Sequence, residues 1–132
     1  MEESAGVREA MLRYYDRASA GDAASFDQLV SREQASMIIG TAPNEWHGDR
    51  EGWKAAFPPQ GLRVEAGDLR AYEEGSVGWL ADQPSFVLPD GTAVRTRTTA
   101  VMRREDGGWK LVQAHVSVGV PDEQAIELAR TH

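Results

Sequence analysis

Apolar positions along the chain follow two regimes, and the change comes near Pro59. Before it the spacing is helical. Val7, Met11, Tyr14, Tyr15 and Ala18 recur at i, i+4, i+7, i+8 and i+11, one face of an amphipathic helix. Gly21 suits the C-terminal cap, and Asp22 is placed to N-cap a second short helix with Phe26, Leu29 and Val30 facing inward. The apolar run from Ala35 to Gly40, bounded by polar residues, predicts a short buried strand. A loop through Thr41, Pro43, Asn44, Trp46 and His47 follows. Asp49 then caps a third helix over roughly residues 50–57, which Pro58-Pro59 stops.

Beyond Pro59 the period falls to two. Leu62, Val64 and Ala66 alternate with polar residues, and Gly67-Asp68 marks a bulge before Leu69, Ala71 and Tyr72. Turns at Glu73-Glu74-Gly75, Pro89-Asp90-Gly91 and Asp106-Gly107-Gly108 divide the rest into long strands over 77–87, 93–104 and 109–120. After Pro121 a short polar helix or tail ends the chain. The expectation is an α+β domain spanning residues 1–132, with 121–132 as that helix or tail. Three N-terminal helices pack on a curved, mostly antiparallel sheet.

Turn lengths predict which residues share a face. A four-residue turn at Leu88-Pro89-Asp90-Gly91 pairs Asp82 with Arg97 and Trp79 with Ala100. A three-residue loop at Glu105-Asp106-Gly107 pairs Arg97 with His115 and Ala100 with Val112. Cross-strand partners lie on one face. The apolar face then carries Val77, Trp79, Ala81, Thr98, Ala100, Met102, Val112, Ala114, Val116 and Val118, and faces the helices. The mixed face carries Leu80, Asp82, Arg97, Thr99, Val101, Leu111, Gln113, His115 and Ser117, with Trp109 beside its turn. On that face Asp82, Arg97 and His115 form a row across three strands.

Composition narrows the function classes. The 132 residues carry 14 basic and 21 acidic side chains, a net charge of −7. Only Lys54 and Lys110 are lysines, and the arginines are scattered among acids, so no nucleic-acid surface is expected. No apolar run approaches the ~20 residues of a membrane span. Met1-Glu2-Glu3-Ser4 is acidic with no apolar segment behind it, so no signal peptide is expected and the cytoplasm is the expected location. The absence of cysteine excludes disulfides and thiolate chemistry. His47, His115 and His132 lack metal-ligand spacing, and neither phosphate-loop nor Gly-x-Ser-x-Gly patterns occur, so neither metal nor cofactor is expected.

Three stretches carry a family resemblance. They are Arg13-Tyr14-Tyr15 through Ala20-Gly21-Asp22, Ile38-Ile39-Gly40-Thr41 through Trp46-His47-Gly48, and Arg103 to Ser117 with its Asp106-Gly107-Gly108-Trp109 turn. In these the chain resembles the nuclear transport factor 2-like superfamily, which includes SnoaL-like polyketide cyclases and ketosteroid isomerase. The last hairpin is also similar to the association domain of calcium/calmodulin-dependent kinase II. The resemblance implies a cone-shaped α+β fold, and a scaffold that hosts isomerases, cyclases, hydrolases and oligomerisation hubs alike. It places Tyr14 where the isomerase holds an oxyanion with a Tyr. The isomerase's two carboxylates fall near Met37, Ile38 and Ile39 and near Thr99, Ala100 and Val101, where none stands.

Two functions follow as expectations. In the first, the cone binds a small apolar or amphipathic molecule against Trp46, Trp53, Phe57, Trp79, Met102 and Val116. Isomerase, cyclase or hydrolase chemistry then draws on Tyr14, Asp82, Arg97 or His115, the last as a general base near neutral pH. In the second, the protein is a non-catalytic binding or assembly module, a homodimer through the mixed sheet face, and the Asp82–Arg97–His115 row is a satisfied polar network.

Overall fold

The computed structural model describes residues 1–58 and 62–131. After a two-residue edge strand β1 (Glu2–Glu3), α1 (Ala5–Ser19) opens on Ser4, whose hydroxyl accepts from the Val7 N–H at 3.0 Å. The predicted stripe is the buried one: Val7, Met11, Tyr14, Tyr15 and Ala18, with Ala10 added. The helix ends where Gly21 takes a φ of +69°, a left-handed conformation that costs glycine nothing. Asp22 does not cap the next segment as expected. Its carboxylate pairs with Arg17 at 3.3 Å, and its carbonyl accepts from the Ser25 hydroxyl as the chain makes a 3-10 turn, Ala23–Ser25, into α2 (Phe26–Leu29). Next come β2 (Met37–Ile39), β3 (Trp46–His47) and α3 (Arg50–Ala56). Asp49 caps α3 through the Gly52 N–H at 2.8 Å, as expected. Pro59 and His132 lie outside the described residues.

The remaining strands are β4 (Arg63–Glu65), β5 (Arg70–Glu74), β6 (Val77–Asp82), β7 (Ser85–Val87), β8 (Ala93–Arg95), β9 (Arg97–Glu105) and β10 (Gly108–Ser117), with a closing helix α4 (Asp122–Arg130). They form two sheets. One is ordered β1-β5-β6-β9-β10-β2-β3, antiparallel except where β2 lies parallel to β10; the other is β4-β7-β8. Two of the three long strands expected from sequence therefore break at one level, at Pro84 and at Thr96, while the third runs unbroken from Gly108 to Ser117. Gly67-Asp68 is a crossing between sheets and not a bulge. Pro84 has no N–H to continue a ladder, and its carbonyl accepts both the N–H and the hydroxyl of Thr96, at 2.8 and 3.0 Å. At that corner the small sheet leaves the large one. Its first strand is tied to the end of α1 by a 2.9 Å bond from the Val64 N–H to the Ser19 hydroxyl.

Register corrects the expected faces. The loop at Pro89-Asp90-Gly91 has three residues, with the Leu88 N–H on the Thr92 carbonyl at 2.8 Å and Gly91 at φ +90°. That shifts β6 by one position, so Asp82 faces Thr98 and Trp79 faces Val101. The last hairpin turns on two residues, Asp106 and Gly107, both at positive φ, and a bulge between Leu111 and Gln113 moves the pairing once more. Arg97 thus faces Ser117, and His115 faces Thr99. The faces of β9 stand as read, whereas β6 and the start of β10 are reversed. Leu80, Asp82, Trp109 and Leu111 are buried under the helices, and Val77 and Trp79 are outside.

Trp109 at 7% exposure packs under α1, where a Cβ on Gly6 would lie 2.8 Å from its ring. Between the three N-terminal helices Tyr14, Phe26, Trp53 and Phe57 form one aromatic cluster, with centroids 5.2–6.3 Å apart. Trp53, 1% exposed, is a packing ring of this layer.

Candidate functional site

A cavity of about 200 Å³ opens between α1 and the inner face of the large sheet. Because the α1 stripe repeats at helical spacing, Met11, Tyr14, Tyr15 and Ala18 all look into it. Ile38 of β2 and the following Gly40, Thr41 and Glu45 form one side. Thr98, Ala114 and Val116 supply the floor from β9 and β10, and Val64 and Phe86 come from the small sheet. The space exceeds the ~150 Å³ apolar cavity that accepts benzene and falls below the ~300 Å³ where drug-sized sites begin. It suits one ring with a short substituent. A wider hollow of about 960 Å³, bordered by Phe57, Pro58, Leu62 and the Pro89–Gly91 loop, is open to solvent, and Pro58 and Leu62 flank residues outside the described set.

Two tyrosines line this cavity, and their hydroxyls differ in partner. Tyr15 donates to Asp82 Oδ2 at 2.9 Å. Burial first, and then the Asp82 carboxylate, push its phenol far above the usual range. Asp82 is filled from its other oxygen, which accepts the N–H groups of Gly67 at 3.0 Å and Gln83 at 2.7 Å. The Tyr14 hydroxyl accepts from the Trp53 indole N–H at 3.1 Å. Burial raises it to about 12, against a smaller opposing pull from that indole, so it stays protonated at neutral pH. Its own proton meets no acceptor among the described residues. At the rim, Glu45 Oε1 accepts from the Ala42 N–H at 2.8 Å and the Thr41 hydroxyl at 3.4 Å.

The sequence candidates are distributed unevenly around this cavity. Tyr14 and Val116 line it. Asp82 lies on the same inner face, held to Tyr15. Arg97 and His115 share the opposite, solvent face as diagonal neighbours, so the expected row with Asp82 does not form. Trp53 and Phe57 pack in the helix layer, and Met102 is fully buried in the core. Trp46 is 66% exposed on an edge strand, and Trp79, 39% exposed, stacks on Tyr72 across the outer face at 4.8 Å. Sequence reasoning did not name Tyr15, Thr98, Phe86 or Glu45 as site residues, although it put Thr98 on the face toward the helices, where it lines the cavity. The α1 periodicity already placed Tyr15 on the buried stripe; nothing local marked Glu45. Among the described residues no cluster of His, Asp or Glu could hold a metal ion, and no helix is long and apolar enough to cross a membrane.

Comparison with known proteins follows the same lines. The model of the SnoaL-like domain matches residues 7–121. An NTF2-like protein of unknown function from Pseudomonas putida KT2440 is 13% identical, with 89% of this chain and 87% of that one covered at a TM-score of 0.75. A candidate dehydratase of the NTF2-like family from Streptomyces avermitilis is 16% identical over 88% and 96%, with a TM-score of 0.71. A candidate calcium/calmodulin-dependent protein kinase type II association domain from Thiobacillus denitrificans is 22% identical over 86% and 94%, at 0.67. At these identities the likeness shows the shared fold. No curated protein sequence matches the chain.

Proposed function

Since the chain belongs to the SnoaL-like domain family, we propose that it binds a small, largely apolar molecule in the cavity between α1 and the inner sheet. The observation that supports this is the cavity itself, about 200 Å³ left unfilled beneath the buried stripe of α1. A void of that size in a plain core carries a cost: removing a large side chain to leave one destabilises by several kcal/mol. Chemistry of the isomerase, cyclase or hydrolase type would use Tyr14 as a neutral hydrogen-bond donor to an oxygen on the ligand, not as a base. His115 and Arg97 face away from this cavity and have no part in it. The test is a thermal-shift screen of one-ring compounds on the wild type and on Val116→Phe, which fills the space. Ligands should raise the Tm of the wild type and leave the variant unmoved. Absence of any shift, or equal shifts in both, overturns the reading.

A second reading concerns assembly. Val77, Trp79 and Val101 form an exposed apolar patch on the outer face of the large sheet. We infer that this face joins two copies of the chain.

A further inference from the structure

Glu45 is the charged side chain of the cavity wall; no Arg, Lys or His among the described residues lines it. It is also held in place. The Glu45 N–H bonds the Ala42 carbonyl at 3.0 Å and its carbonyl accepts the Gly40 N–H at 2.8 Å, closing a tight turn over Pro43 and Asn44. Oε1 is occupied within that turn, by Ala42 and Thr41. Oε2 has no partner among the described residues. A glycine makes this arrangement fit: a Cβ on Gly40 would lie 2.7 Å from Oε2 and 2.8 Å from the Glu45 Cβ. The side chain therefore lies back across the end of β2 through a gap that no other residue type leaves open.

Oε2 lies beside Gly40, which also lines the cavity, so a ligand that reaches this rim would displace water from it. A neutral apolar body returns no hydrogen bond for that loss, and an anion adds repulsion. A protonated amine returns a charge-assisted bond, and the rings of Tyr14, Tyr15 and Phe86 in the wall favour a cation further. Resting on the cavity reading above, we propose that the occupant is a small apolar amine, with its protonated nitrogen on the Glu45 carboxylate and its apolar body against the α1 stripe.

Three probes of nearly equal size separate the alternatives: benzylamine, benzyl alcohol and benzoate. Their affinities are measured by calorimetry at pH 7 on the full chain and on Glu45→Gln, an isosteric change. Benzylamine should bind the wild type about tenfold more tightly than benzyl alcohol, with benzoate weakest. In Glu45→Gln the amine should fall to the level of the alcohol, whose affinity stays unchanged. Benzyl alcohol binding as well as benzylamine overturns the amine, and an amine preference that survives Glu45→Gln overturns its pairing with Glu45; either result leaves the cavity reading standing. Failure of all three probes to bind overturns both.

Discussion

Asp82 is a buried carboxylate with both oxygens engaged, one by the Tyr15 phenol and the other by two backbone N–H groups at the crossing between sheets. Those bonds replace the water it lost, and they fix where the chain leaves one sheet for the other. The phenol bond goes to a charged acceptor, a class that contributes about 1.5–3 kcal/mol. Tyr15→Phe should therefore destabilise the fold by about that amount in urea unfolding. The alkaline limb carries the sign of the same contact. Because the folded phenol is held above its ordinary value, its stabilisation is complete below pH ~10 and is lost as pH rises beyond it. Tyr15→Phe should be insensitive to that loss, and an unchanged alkaline limb in the variant would remove Tyr15 from the account.

The join between α2 and the last hairpin rests on Glu105. Its carboxylate accepts the Ser31 hydroxyl at 2.6 Å, the Arg32 N–H at 2.9 Å and Arg103 Nε at 2.8 Å. Burial alone would raise its pKa, yet these donors hold it at about 2, against 4.5 for a free glutamate. The contribution is thus present above pH ~4.5 and lost as pH falls from there toward 2. Glu105→Gln should be less stable than the wild type at pH 7 and show a flatter stability profile between pH 5 and 2, read as urea midpoints. Parallel profiles would show that the network carries no such linkage. Nothing in the sequence paired Glu105 with Ser31, because the contact spans most of the chain. Periodicity did place the α1 stripe, the capping Asp49 and the faces of β9, where each signal is local. It failed at β6 and at the start of β10. One residue fewer in each of two turns, and a bulge at Leu111, reverse a face without altering the alternation that the eye follows. The cavity suffered in turn: Trp79 was read inward and Trp109 outward, and the ring walls expected from tryptophan come instead from Tyr14, Tyr15 and Phe86.

At the scale of the whole molecule, the reversed face of β6 changes what the outer surface offers. Tyr72, Trp79 and Val101 are neighbours on three adjacent strands, with the two rings stacked and Val77 continuing the patch. Stable interfaces of standard size bury about 800 Å² on each partner, with aromatic anchors at their centre. The large sheet presents such a centre, rimmed by Arg97, Gln113 and His115. Each copy carries a net charge of −7, so mutual repulsion opposes pairing and salt should relieve it. Light scattering at micromolar concentration should show a dimer whose dissociation constant falls as ionic strength rises. Trp79→Glu and Val101→Glu, both at exposed positions, should give monomers with unchanged circular dichroism and the same cavity binding. A wild type that is monomeric, or a dimer that survives both substitutions, would leave the sheet face as plain surface. The cavity sits on the opposite face of the large sheet and shares only β9 with the patch, so its ligand affinity provides an independent check that the substituted chains are folded.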